Sequence, residues 1–166
     1  MIFYGDILRE FKKQKVKYVI VGGLAMNLLG SLRTTGDIDI LVEMSDKNLT
    51  KVVKILIKNG FLVKQPVDPI DFANDKIREN WIKNKHMKAF NFYKDEGLQE
   101  VDIIIESPVS YQDARNSMVK IRCGDLVFPV ISIENLIKMK KKANRPIDRI
   151  DVEELKKIKR LSRKLK

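Results

Sequence analysis

Asp37 and Asp39 stand two residues apart in the run Asp37-Ile38-Asp39-Ile40, and a third acid, Asp102, interrupts the apolar run Val101-Asp102-Ile103-Ile104-Ile105. In an extended chain, residues two apart project from one face. Asp37 and Asp39 therefore share a side, while Ile38 and Ile40 point into a core. Two ionised carboxylates side by side repel each other, and a cation between them relieves that cost. Hard oxygen donors of this kind suit Mg²⁺ or Mn²⁺, which keeps waters and substrate phosphates in its remaining positions. If the strand carrying Asp102 lies beside the strand carrying Asp37, three acids converge on one spot. Upstream, Tyr18-Val19-Ile20-Val21 is a buried strand ending in Gly22-Gly23, from which a helix opens. Bare N–H groups at such a point seat triphosphate oxygens, and the missing side chains let phosphate approach. Arg33 and Thr35, in the connection just before the acids, are placed to steer the same phosphates. Singly, each feature has an ordinary structural explanation: a turn, a wet sheet rim, a salt-bridged acid. Their order in one chain argues for chemistry.

The elements that must position these residues follow from hydrophobic period and breakers. The spacing of Ile7, Leu8 and Phe11 predicts a helix over 6–15 with Asp6 as its N-cap. The strand at 18–21 is followed by a helical segment at 24–29 that stops at Gly30, and a second strand covers 37–42. An amphipathic helix at 46–59 ends on Gly60, with a short strand at 61–63 and a loop at 66–69 behind it. A weakly patterned helix covers 71–82, and strands at 87–93 and 98–105 meet through the turn Lys94-Asp95-Glu96-Gly97. Beyond them come a helix at 110–117, a small hairpin turning at Cys123-Gly124-Asp125, and a helix capped by Ser132. Asn144-Arg145-Pro146 breaks that helix, and a last helix runs from Asp148. The class is α/β of the mixed (α+β) kind: a mixed sheet flanked by helices, because a hairpin sits in the middle of the order. Residues 1–131 form the expected core, and 132–166 a helical extension packed on it as one unit.

Composition sets the bounds. The 166 residues are 44% hydrophobic, ordinary for a folded soluble domain, and no apolar run reaches the roughly 20 residues of a membrane span. The opening Met-Ile-Phe-Tyr-Gly-Asp lacks the pattern of a signal peptide, and the single Cys123 excludes an internal disulfide and a cysteine-based zinc cluster. A cytoplasmic protein with no membrane partner is the expectation. Lys and Arg total 33 against 22 acids, a formal charge of +11 that attracts NTPs and nucleic acid. A lysine-rich surface bias explains the same number without function.

The segment Val21-Gly22-Gly23-Leu24-Ala25-Met26, running on to Arg33-Thr34-Thr35-Gly36-Asp37-Ile38-Asp39-Ile40, resembles the signature of polymerase-beta-like nucleotidyltransferases. Its Gly-Gly-x-Ala and Arg-x-Thr-x-Asp-hydrophobic-Asp form is most similar to the AbiEii-type toxin and the minimal or lincosamide nucleotidyltransferase groups. The tail from Ser132 to Lys140, then Arg145-Pro146-Ile147-Asp148 and Asp151, is similar to the helical tail those groups carry. Many members have Ser where Gly23 stands. The resemblance implies a metal-dependent transfer of an NMP from an NTP, ATP or GTP included, to an acceptor hydroxyl. Asp37 and Asp39 would bridge the metal ions, Asp102 would complete a second ion's site and orient the acceptor hydroxyl, and Lys138 would contact the triphosphate. Gly22, Gly23, Arg33 and Thr35 would line the nucleotide.

Three functions compete: an enzyme acting on tRNA or another RNA in the manner of a toxin paired with an antitoxin protein, an antibiotic-type enzyme with a small-molecule acceptor, and a non-catalytic binding module keeping the fold. His86, the only histidine, lies among lysines as an exposed strand-start residue. Trp81, Phe90, Phe92 and Tyr93 suit core packing better than base stacking. In the basic last helix, Leu155, Ile158, Leu161 and Leu165 recur as a stripe that docks on the domain.

Overall fold

The computed structural model describes residues 4–94 and 98–164. In chain order the first half comprises α1 (Gly5–Lys13), β1 (Tyr18–Val21), α2 (Gly22–Leu28), β2 (Asp37–Val42), α3 (Asp46–Lys58) and β3 (Leu62–Val63). A 3-10 turn (Pro69–Ala73), α4 (Asp75–Lys85), β4 (Ala89–Lys94) and β5 (Gln99–Ile104) follow. The remainder is α5 (Tyr111–Ser117), β6 (Val119–Cys123), β7 (Leu126–Val130), α6 (Ile133–Ala143) and α7 (Pro146–Lys164). The seven strands form one sheet in the order β3-β4-β5-β2-β1-β7-β6. β2 runs antiparallel to β1 and parallel to β5, and β7 runs parallel to β1, so the sheet is mixed as expected. No helix among the described residues is long and apolar enough to cross a membrane.

Alternation along the strands decides which face does what. In β4, Phe90 and Phe92 are fully buried. Phe72 stacks on Phe90 with ring centroids 4.3 Å apart, and Trp81 stacks on it at 5.9 Å. Trp81 is thus core, as its neighbours predicted. Asn91, between the two phenylalanines, turns to the other face. In β2, Ile38 and Ile40 are buried and Asp39 is half-buried between them. Leu136 of α6 and Leu155 of α7 join the same hydrophobic cluster, which fastens the two last helices to the sheet.

Several boundaries shift for local reasons. Tyr4, not Asp6, occupies the N-cap of α1, and Asp6 sits exposed in the first turn, 3.5 Å from Arg9. The weak helix predicted over 71–82 is two pieces. Pro69 begins a 3-10 turn, and Asn74 then caps α4 by accepting from the Ile77 N–H at 3.2 Å. His86 is exposed, but as the left-handed C-cap of α4 and not as the start of a strand. α7 is buried through Leu155, whereas Leu161 is exposed, so the predicted stripe leaves the domain before its end. Glu96 and Gly97 of the predicted hairpin turn, with Asp95, lie outside the described residues, as does Leu165.

Candidate active site

Register brings the acids together. Asp39 of β2 lies opposite Asp102 of β5, and Asp37 lies opposite Glu100, so four carboxylates form a two-by-two block on one face. Burial pushes the Asp39 carboxyl up, the charges of Asp102 and Asp37 push it further, and Lys140 and the Gly23 N–H pull it back; the result is about 6. Burial also raises Asp102, while a hydrogen bond from Asn91 and the Lys64 ammonium oppose the rise. Glu100 is held by Lys64, with Nζ 2.6 Å from the carboxylate. The Tyr4 hydroxyl bonds the Gly36 carbonyl and accepts from the Glu100 N–H at 3.0 Å. It thereby ties the start of β2 to the start of β5 and fixes the register of the acids.

Among the described residues, no group of three His, Cys, Asp or Glu side chains closes tightly enough to hold an ion. Asp39 accepts from the Gly23 N–H, and Asp102 accepts from Asn91 Nδ2 at 2.8 Å. As a donor set, neighbouring hard carboxylates, two of them raised by burial, suit a divalent cation.

The glycines serve the acid directly. Gly22 has φ +65°, and a Cβ there would lie 1.9 Å from Asp39 Oδ2. A Cβ at Gly23 would lie 2.6 Å from Thr35 Oγ1, so Thr35 fills the room a serine would need. The strand-to-helix switch falls on Gly22 itself, two residues earlier than predicted, and the Gly23 N–H is taken by Asp39. Gly22→Ala is expected to cost about 3 kcal/mol of stability, through left-handed strain and the clash with Asp39. It should also displace Asp39 and lower transfer at least about a hundredfold. Urea melts alongside a transfer assay check both, and a well-folded, fully active variant would contradict this geometry.

Above Asp39 stands a charged wall from α6 and α7. Lys140 is 5% exposed, and its Nζ lies 2.7 Å from Asp151 and 3.4 Å from Asp148. Arg33 pairs with the same oxygen of Asp151, and Arg145 bonds Asp148 at 2.8 Å. Burial pushes the Asp148 carboxyl up, but the Arg145 guanidinium and N–H and the Lys140 ammonium outweigh it and hold it below its ordinary value. Arg33 therefore anchors the loop before β2 to α7. Asn27 bonds the Arg33 carbonyl and braces the same loop. Lys138 is exposed, two residues away from the lysine that faces the acids. The signal that separates them is helical period: Ile133, Leu136, Ile137 and Lys140 share the inner stripe, and Lys138 does not.

The family model for "Nucleotidyltransferase of unknown function (DUF6036)" matches residues 6–165. The chain belongs to this nucleotidyltransferase family. Its fold is that of solved nucleotidyltransferases at low identity. The lincosamide antibiotic adenylyltransferase LnuA, lincomycin-bound, superposes with a TM-score of 0.63 at 21% identity, over 94% of this chain and 96% of that one. ANT(2″)-Ia in complex with adenylyl-2″-tobramycin gives 0.56 at 16%, over 95% and 91%. No curated protein matches by sequence. This nucleotidyltransferase has a cleft of about 410 Å³ beside Asp39, where Lys88, Lys140, Lys142 and Arg145 stand among Glu106 and Asp148. A second cleft of about 440 Å³ is walled by Leu8, Leu24, Leu28 and Phe128, with Thr35 and Asp37 at its rim. Asp37 and Asp39 thus face two clefts, that of Asp39 lined by charges of both signs and that of Asp37 mainly apolar.

Proposed function

We propose that this nucleotidyltransferase moves an NMP from an NTP to an acceptor hydroxyl, with a divalent cation held by Asp37, Asp39 and Asp102. The observation that carries the reading is the in-register pairing of Asp39 with Asp102 beneath the basic wall of Lys140 and Arg145. Mg²⁺ or Mn²⁺ bound there supplies charge neutralisation at the phosphoryl oxygens. The triphosphate occupies the cleft beside Asp39, where the exposed Lys142 and Arg145 meet its negative charge and Lys140 stands behind them facing Asp39. Lys138 lies on the outer side of α6, so Lys140 takes the triphosphate role in this reading. Gly22 lines the cleft beside Asp39 with backbone alone. The acceptor oxygen attacks the α-phosphorus, the bond to pyrophosphate breaks, and Asp102 receives or orients the acceptor proton.

For the acceptor, the +11 charge and the lysine-rich α6 and α7 favour RNA, tRNA included, and with it a toxin whose antitoxin would cover the site. A small-molecule acceptor is favoured by a different observation: the apolar cleft opens at Asp37, and the two solved neighbours were captured with lincomycin and adenylyl-tobramycin. The test is incubation with each α-³²P-NTP, Mg²⁺, and either total tRNA or a lincosamide and aminoglycoside panel, with Asp37→Ala/Asp39→Ala alongside. Label that needs both acids identifies acceptor and nucleotide together. No label on any acceptor and no calorimetric NTP binding would overturn the reading in favour of a binding module.

A further inference from the structure

One polar row crosses the sheet at the level of the acids and continues beyond them. Asp39 faces Asp102 across the β2–β5 pair, and Asp102 faces Asn91 across the β5–β4 pair. Asn91 Nδ2 donates to Asp102 Oδ1 at 2.8 Å. On its far side, Gln65 Nε2 donates to Asn91 Oδ1 at 2.7 Å, and the Asn91 N–H donates to Gln65 Oε1 at 3.2 Å. The Lys64 N–H closes the ring onto the Asn91 carbonyl at 2.9 Å. Gln65 is thus bound to Asn91 through both its amide atoms.

That pair of hydrogen bonds sets a direction. Flipping the Asn91 amide would place its oxygen against the Asp102 carboxylate and its NH₂ against the NH₂ of Gln65, losing both hydrogen bonds. The NH₂ must therefore face Asp102. An amide also orients a carboxylate without neutralising it, as a lysine or arginine there would. The neighbouring acid shows the contrast, since Glu100 is paired with Lys64. The row treats Asp102 as an acid to be aimed and left charged.

We infer that Gln65 and Asn91 are a positioning clamp that commits Oδ1 of Asp102 to the protein and presents Oδ2 to the cation and the acceptor hydroxyl. This rests on the role of Asp102 proposed above. Neither residue touches the reacting atoms, and outer partners of this type are worth about 10- to 100-fold in metal affinity or activity.

The experiment compares Asn91→Ala, Gln65→Leu, the double variant and Asp102→Asn, using Mn²⁺ binding followed by electron paramagnetic resonance together with kcat and the KM for NTP. Asn91→Ala should lower kcat and weaken Mn²⁺ binding by about tenfold or more, with KM for NTP within about twofold. Gln65→Leu should show a smaller loss of the same kind, and in the Asn91→Ala background it should add almost nothing, because it acts through Asn91. Should Asn91→Ala fail to fold, Gln65→Leu alone carries the test through Mn²⁺ binding. Unchanged Mn²⁺ binding and kcat in the clamp variants, with Asp102→Asn inactive, would overturn the clamp and keep the role of Asp102. An active Asp102→Asn would overturn that role itself. Additive losses in the double variant would mean two independent structural contacts and no clamp.

Discussion

Asp39→Asn is expected to abolish nearly all transfer while making the metal-free protein more stable. The loss should be about a thousandfold, because the change removes the central carboxylate from the reacting site. The gain in stability follows from proton linkage. Burial and the charges of Asp102 and Asp37 raise the Asp39 carboxyl from 3.8 to about 6 in the folded protein. A carboxyl with a raised folded value binds its proton more tightly when folded, so it costs nothing at low pH. It becomes destabilising as pH climbs from about 4 to about 6, and the cost stays constant above that. A shift of this size corresponds to about 3 kcal/mol at neutral pH. Thermal melts in EDTA should place Asp39→Asn above the parent at pH 7.5, with the two converging near pH 4. A variant no more stable than the parent at pH 7.5 would mean that burial and the neighbouring acids do not burden the Asp39 charge. Added Mg²⁺ should stabilise the parent more than the variant.

Lys140→Met should be costly in both stability and activity, and Lys138→Ala in neither. Lys140 is enclosed between Asp148 and Asp151, both essentially without solvent exposure. Removing the ammonium leaves two buried carboxylates short of a partner, a loss of about 3–5 kcal/mol when a buried pair is broken from one side. Arg33 still holds one oxygen of Asp151 and Arg145 both oxygens of Asp148, which puts the expected figure at the lower end, about 3 kcal/mol. Activity should fall at least about a hundredfold, because the charge opposite Asp39 is lost with it. Lys138 is exposed, and its replacement should change stability by less than about 0.5 kcal/mol. Urea unfolding and the labelled-NTP assay on the two variants side by side decide the assignment. An inactive Lys138→Ala beside an active Lys140→Met would return the triphosphate contact to the outer lysine.

The acids were legible in the sequence because an i, i+2 pair in a strand has only one geometry, and an aspartate inside an apolar strand demands a reason. Strand pairing was legible in kind, since hairpins and crossovers leave different lengths of chain between strands. What escaped was whatever depends on contacts between distant segments. Nothing near Asn91 in sequence says that Gln65 and Asp102 lie on either side of it. Glu100 reads as an ordinary hairpin residue until register sets it beside Asp37. Gly22 and Gly23 looked like a phosphate seat, and it is the folded chain that brings Asp39 and Thr35 into the room their missing side chains leave. Lys140 was within reach of the sequence: counting turns from Leu136 places it inside the helix's inner stripe, whereas resemblance alone pointed to Lys138. Tyr4 was not, because a tyrosine near a terminus carries no sign of its tie to Gly36 and Glu100.

The parallel pairing of β2 with β5 also bears on how the molecule comes into being. β1 and β2 are neighbours in the chain, but the partner that brings Asp102 beside Asp39 arrives about sixty residues later, and the partner of β1 on its other side later still. Closing loops of that length costs chain entropy before any contact repays it, so high contact order slows folding. The β1–β2 pair, with its glycine turn and Asp37-Ile38-Asp39, can form early as a local unit. The carboxylate of Asp39 is then solvated, its repulsion from Asp37 screened by water, and it meets neither burial nor Asp102 until β5 docks. The electrostatic cost of the site thus falls late on the folding route, where it raises the unfolding rate more than it slows the first collapse.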